Sequence, residues 1–119
     1  MEFFEAPAFT RFLREYLSDE GYRGLQHLLA LNPELGDVMA GTGGFRKLRW
    51  ADPRRGKGRR GGLRVIYYYF SAEQQIWLMT VYGKDEADDL TPKEKKALHT
   101  AIAAELKQRE EKRSRKIRR

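Results

Sequence analysis

Nine lysines and arginines crowd into residues 45–64 of this 119-residue chain, against a single acid, Asp52. They are Arg46, Lys47, Arg49, Arg54, Arg55, Lys57, Arg59, Arg60 and Arg64, spaced by glycines and followed by the strand-like run Leu63 to Phe70. A strand's period of two puts Phe45, Lys47 and Arg49 on one face and Arg46, Leu48 and Trp50 on the other. Arg64 opens an otherwise apolar strand, so it belongs near a sheet end, beside Lys47 and Arg49 if the two strands pair. Tyr82-Gly-Lys84 ends a third strand and would bring Lys84 to a neighbouring sheet end. Four converging cations repel one another unless an anion sits among them. Phosphoryl chemistry needs such a place. Cleavage of RNA by its own 2′-hydroxyl requires in-line geometry, a proton acceptor and positive charge around a crowded transition state. Lysines crowded by other cations release protons more readily, and guanidinium groups grip phosphate oxygens in pairs. The candidate catalytic residues are therefore Lys47, Arg49, Arg64 and Lys84.

The remaining cations of the block suggest binding rather than catalysis. Arg54, Arg55, Lys57, Arg59 and Arg60 fall on a glycine-spaced connection that reads as a long basic hairpin, a clamp for a nucleic-acid backbone. Arg46 is grouped with them. Within this loop Gly56-Lys-Gly-Arg-Arg-Gly61 has the letters of a dinucleotide fingerprint. It lies between two strands, with no following helix to receive a pyrophosphate, so it does not read as one.

The charge map points the same way. Residues 1–44 hold seven acids and three bases, and residues 65–106 hold seven acids and four bases. The last thirteen residues hold eight bases and two acids. The net charge of +7 is thus two basic patches on a mildly acidic body, a distribution suited to polyanions. Metal chemistry finds little support. His27 and His99 lie on separate helices, there is no cysteine, and the acids Asp85, Glu86, Asp88 and Asp89 read as a solvated approach to a helix N-terminus. No metal and no cofactor is expected. Lack of cysteine fits a reducing compartment. No run approaches the roughly 18 apolar residues of a membrane span, and Met1-Glu-Phe-Phe-Glu5 is no signal peptide, so a cytoplasmic protein without membrane contact is expected.

The elements that must position these residues are well marked. Residues 2–6 suggest a short first strand. Phe9, Phe12, Leu13, Tyr16 and Leu17 form the apolar stripe of one helix, and Tyr22, Leu25, Leu28 and Leu29 that of a second, capped by Ser18 or Asp19. Asn32-Pro33 ends the second helix, and four glycines mark a loop from Gly36 to Gly44. Three strands follow, over 45–50, 63–70 and 75–82, the last two joined by a turn short enough for a hairpin. Thr91-Pro-Lys-Glu94 is a capping box with proline at the first helical position, and Leu98, Ile102 and Leu106 continue as a narrow seam. The expected fold is a small α+β domain over residues 1–106. It has a mainly antiparallel sheet of three to four central strands, two N-terminal helices on one face and a C-terminal helix. Residues 107–119 form a basic helical extension or tail.

Several segments in this order carry a resemblance: Tyr16 to Glu20, Leu31 to Val38, Gly41 to Arg49, Gly56 to Tyr69 and Val81 to Glu86. Together they resemble the HigB branch of the RelE-like bacterial toxins, over about residues 10–106. The resemblance implies a RelE-like fold and the toxin of a type II toxin–antitoxin pair. It implies a partner helix-turn-helix antitoxin of HigA type, entry into the A site of the 70S ribosome, and cutting of the mRNA there. It also implies that Lys47 or Arg49 activates the 2′-hydroxyl or holds the phosphate. Arg64 would stabilise the transition state, and Lys84 would neutralise charge or protonate the leaving group. The chain departs from the pattern in having Asp85 where some relatives carry arginine, and no tyrosine in the last helix, where the family's base-stacking tyrosine stands; on the resemblance, Tyr82 or Trp50 would supply the stacking. Two other readings compete: a ParE-like inhibitor of DNA gyrase without nuclease activity, and a non-enzymatic basic RNA-binding protein.

Overall fold

The computed structural model describes residues 1–51, 62–83 and 89–117. Its elements in chain order are β1 (Glu2–Glu5), α1 (Pro7–Tyr16), α2 (Asp19–Leu31) and β2 (Asp37–Val38), then β3 (Arg46–Trp50), β4 (Leu63–Phe70), β5 (Gln75–Gly83) and α3 (Pro92–Ile117). The fold is α+β, built on a five-stranded mixed sheet in the order β1-β5-β4-β3-β2. β3, β4 and β5 are antiparallel neighbours, while β1 lies parallel to the outer side of β5. The sheet has more strands than the three or four expected. The extra one, β2, is two residues long, pairing Asp37 with Lys47 and Val38 with Arg46. A pair of residues inside a glycine-rich segment is too short to show any periodicity.

Local chemistry fixes the helix boundaries. Pro7 opens α1, where its missing N–H costs nothing. The Ser18 hydroxyl accepts from the Gly21 N–H at 3.0 Å, capping α2. At α3 the box closes from both sides: the Glu94 N–H donates to Thr91 Oγ1 at 3.1 Å, and the Thr91 N–H to Glu94 Oε1 at 2.8 Å. Glu5, at the end of β1, accepts from Thr10 Oγ1 and from the Tyr22 hydroxyl, both at 2.8 Å, and so ties the first strand to both N-terminal helices.

Each face of the sheet carries its own core. On one, Phe9, Tyr16 and Leu17 around α1 and Leu25 and Leu29 of α2 close over Leu48, Leu63, Val65, Tyr67, Ile76, Leu78 and Val81. Tyr67 is wholly buried, and its hydroxyl donates to the Pro33 carbonyl at 2.8 Å and accepts from the Gly36 N–H at 2.9 Å. That single oxygen anchors the turn after α2. On the other face α3 packs through Ile102, with Leu90 and Leu98, against Met39, Phe45, Ile66 and Phe70. Gly43 lies beneath the helix with φ at +77°; a Cβ there would stand 2.8 Å from Ile102 Cγ2 and 3.0 Å from His99 Cδ2. Only glycine fits this approach.

The apolar seam of α3 stops short of its third member: Ile102 is buried, but Leu106 is 38% exposed. Arg109 takes over as anchor. Its guanidinium lies 3.7 Å from the centroid of the Phe70 ring, donates to Gln75 Oε1 at 2.7 Å and to Glu105 Oε1 at 2.9 Å, and pairs with Glu73 at 3.6 Å. Arg113 joins the same Glu73 at 3.7 Å. From there α3 continues unbroken to Ile117. Among the described residues no helix is long and apolar enough to cross a membrane.

Candidate nucleic-acid interface

The cationic end of the α3 face grows directly out of the β3–β4 register. Arg49 stands opposite Arg64, and Lys47 opposite Ile66. Because Ile66 and Phe45 belong to the core under α3, Lys47, Arg49 and Arg64 share that face. Cross-strand neighbours on one face have Cβ atoms roughly 4.5–5.5 Å apart, so two guanidinium groups are rooted side by side. Their exposure is graded. Arg64 is only 3% exposed and donates to the Leu63 carbonyl at 3.2 Å, Lys47 is partly covered, and Arg49 is exposed. An arginine keeps its charge when buried, so Arg64 makes a permanently positive wall behind two more accessible cations.

Tyr82 stands opposite Arg64 on the neighbouring strand. It reaches this face through a bulge. Tyr67 pairs with Leu78 but Ile66 pairs with Thr80, leaving Met79 as an extra residue in β5. Trp77 before the bulge and Met79 within it face α3; after it the phase is reversed and Tyr82 does. The Tyr82 hydroxyl is buried and has no hydrogen-bond partner among the described residues. Burial raises its pKa, the charge of Asp89 adds to this, and Arg64 opposes it. The group therefore remains a neutral O–H beside Arg64. Its ring packs against the core under α3.

Asp89, just ahead of α3, sets a carboxylate beside Lys47 and Lys95. Its Oδ2 accepts from Lys95 Nζ at 2.9 Å, while its Oδ1 accepts from the Leu90 N–H at 2.8 Å and lies 3.7 Å from Lys47 Nζ. The Lys95 hydrogen bond, helped by the Leu90 N–H and the charge of Lys47, holds the carboxyl below the usual range against a smaller opposing effect of burial. One carboxylate thus joins the sheet to the helix. Asp89 and Tyr82 also line a cleft of about 280 Å³ between α1 and the start of α3, with Phe12, Tyr16 and Glu94 on its walls.

Of the residues singled out from the sequence, the structure brings Lys47, Arg49, Arg64 and Tyr82 together. Arg46 is not part of the group. It faces the other way, and its guanidinium donates to the carbonyls of Glu34 at 3.0 Å and Gly36 at 2.8 Å, bracing the turn that Tyr67 anchors. Lys84 and the hairpin cations Arg54, Arg55, Lys57, Arg59 and Arg60 lie outside the described residues. Asp89 and Lys95 are the additions. The sequence marked Asp89 only as one acid of a run and gave no reason to single out Lys95, because nothing local tells which strand a helix will cross. Among the described residues no cluster of three or more His, Asp or Glu side chains is placed to hold a metal ion. No protein-family model matches the chain.

Proposed function

We propose that this protein is the toxin of a type II toxin–antitoxin pair and acts as a ribosome-dependent mRNA endoribonuclease. The observation that carries the reading is the pairing of Arg49 with Arg64 on the same sheet face as Lys47. Two arginines rooted opposite each other and a lysine on the same face are a donor set suited to a phosphate gaining charge in a transition state. The cut itself uses the RNA's own 2′-hydroxyl. That oxygen attacks the adjacent phosphorus, the bond from phosphorus to the 5′-oxygen breaks, and the products are a 2′,3′-cyclic phosphate and a 5′-hydroxyl. In this scheme Lys47 or Arg49 activates the 2′-hydroxyl or holds the phosphate, and Arg64 stabilises the phosphorane-like transition state from its buried position. Lys84 neutralises or protonates the leaving oxygen.

The segment resemblance to HigB-type toxins supports the same conclusion and supplies the partners: the A site of the 70S ribosome with its mRNA, and a small helix-turn-helix antitoxin. The order of two helices, three central antiparallel strands and a last helix is compatible with a RelE-like arrangement. The site of action would be the cytoplasm. The test is induction in bacteria with mapping of mRNA 5′ ends, for the wild type and for Arg64→Ala. New ends within coding regions, absent in the folded Arg64→Ala variant, are the expected outcome. Growth arrest without new mRNA ends would overturn the nuclease reading.

A further inference from the structure

Asp89 occupies the position an anion must take if Lys47 handles phosphate. Its carboxylate is bracketed by ammonium groups from two different elements, Lys47 of β3 and Lys95 of α3, on separate oxygens. Of the three lysines in the first turns of α3, Lys93 and Lys96 are exposed, while Lys95 is partly covered beside Asp89. A carboxylate and a phosphodiester offer such a pair of donors the same thing: two oxygens sharing a negative charge. The Asp89 side chain is 43% exposed, and ion pairs in that setting are weak enough to exchange.

We propose that Lys95 is a further anion-binding residue of this site and that Asp89 is an intramolecular competitor, displaced from Lys47 and Lys95 by an incoming phosphate. The inference rests on the phosphate-handling reading of Lys47 given above. The contact holds the start of α3 against β3 while the site is empty, and a phosphate that takes both lysines releases Asp89 from them. Removing the carboxylate therefore tightens phosphate binding, and removing Lys95 loosens it.

Titration calorimetry with pyrophosphate at low ionic strength tests this without any cleavage step. Asp89→Asn keeps an oxygen to accept from the Leu90 N–H and is expected to bind pyrophosphate about two- to fivefold more tightly than the wild type. Lys95→Ala is expected to bind at least about threefold more weakly, and in its presence Asp89→Asn should lose most of its effect, the sign of direct coupling. Glu15→Gln makes the same charge change on the exposed part of α1 and should leave affinity unaltered. If Asp89→Asn proves unstable in a thermal melt, Asp89→Ser replaces it. Unchanged or weaker binding on loss of the carboxylate, an equal gain from Glu15→Gln, or no pyrophosphate binding by any form would overturn the proposal. The two readings fail separately. Tighter pyrophosphate binding without new mRNA ends removes the nuclease and leaves the competitor, whereas Arg64-dependent ends with an inert Asp89→Asn do the reverse.

Discussion

The two faces of the sheet are built differently although the same strands feed both. Under α1 and α2 apolar side chains close the face along its length, and the polar group buried deepest there, the Tyr67 hydroxyl, has both its partners. Under α3 the face changes character partway along. Phe45, Ile66, Phe70 and Ile102 form a core at one part, and Lys47, Arg49, Arg64 and the Tyr82 hydroxyl, which has no hydrogen-bond partner among the described residues, stand at the other. β3 shows the contrast within five residues, with Leu48 turned to the first core and its neighbours Lys47 and Arg49 to the cationic end. One face is closed by apolar packing, while the other combines a core with closely set charges. Stability and activity should therefore separate by face.

The largest effect expected on the α3 face is kinetic. On the proposed nuclease function, Arg64→Met, which keeps much of the buried volume but no charge, should lower the rate of mRNA cleavage in a reconstituted ribosome assay by about 10²- to 10³-fold, the range for removing one preorganised donor. On the opposite face the effect should be on folding. Leu78→Ala empties a fully buried position and should destabilise by about 2–5 kcal/mol in urea unfolding, with pyrophosphate affinity unchanged once the folded fraction is corrected. A comparable loss of anion binding from Leu78→Ala would break the division between faces. Tyr67→Phe should cost about 1–3 kcal/mol, because it leaves the buried Gly36 N–H unsatisfied. Protection of that amide in hydrogen exchange should fall before that of the sheet.

The smallest effect is that of Asp89 on stability. Its pKa is depressed in the folded state, so its contribution is fully present above its ordinary value of 3.8 and fades as pH falls through the folded value. Being an exposed pair it is worth about 0–1 kcal/mol. The stability difference between wild type and Asp89→Asn, measured by thermal melts from pH 7 down to acid, should be small at neutrality and vanish below that window. A difference that grew in acid would assign Asp89 another role.

What could be read from the sequence is what short-range chemistry determines. Ser18 and the Thr91 to Glu94 box mark helix starts through contacts three residues away, Asn32-Pro33 marks a helix end through the clash between neighbours, and all three boundaries fall where that chemistry puts them. Leu63 to Phe70 reads as an interior strand because it is apolar on both faces, and β4 has neighbours on both sides. The phase of β3 likewise separates Lys47 and Arg49 from Arg46. The rest depends on long-range geometry. No residue type announces the extra residue at Met79, yet it decides that Tyr82 faces Arg64 rather than the first core. The Lys47–Asp89–Lys95 contact depends on where α3 crosses the sheet, which follows from the packing of Ile102 over Gly43 rather than from any motif near Lys95.

The parallel pairing of β1 has a consequence for the order in which the molecule assembles. Glu2 lies opposite Gln75, and their side chains meet across a sequence separation of 73 residues, whereas β4 and β5 are joined by a short turn. Closing so long a loop costs more chain entropy than closing a hairpin, so the antiparallel strands have the advantage in time and β1 joins a sheet already begun. Until it does, the outer side of β5 from Gln75 to Leu78 is a bare strand edge, the kind on which chains aggregate. The four residues of β1 pair with the end of β5 remote from Tyr82, yet on this order of assembly they set how long the nascent sheet remains open to the wrong partner.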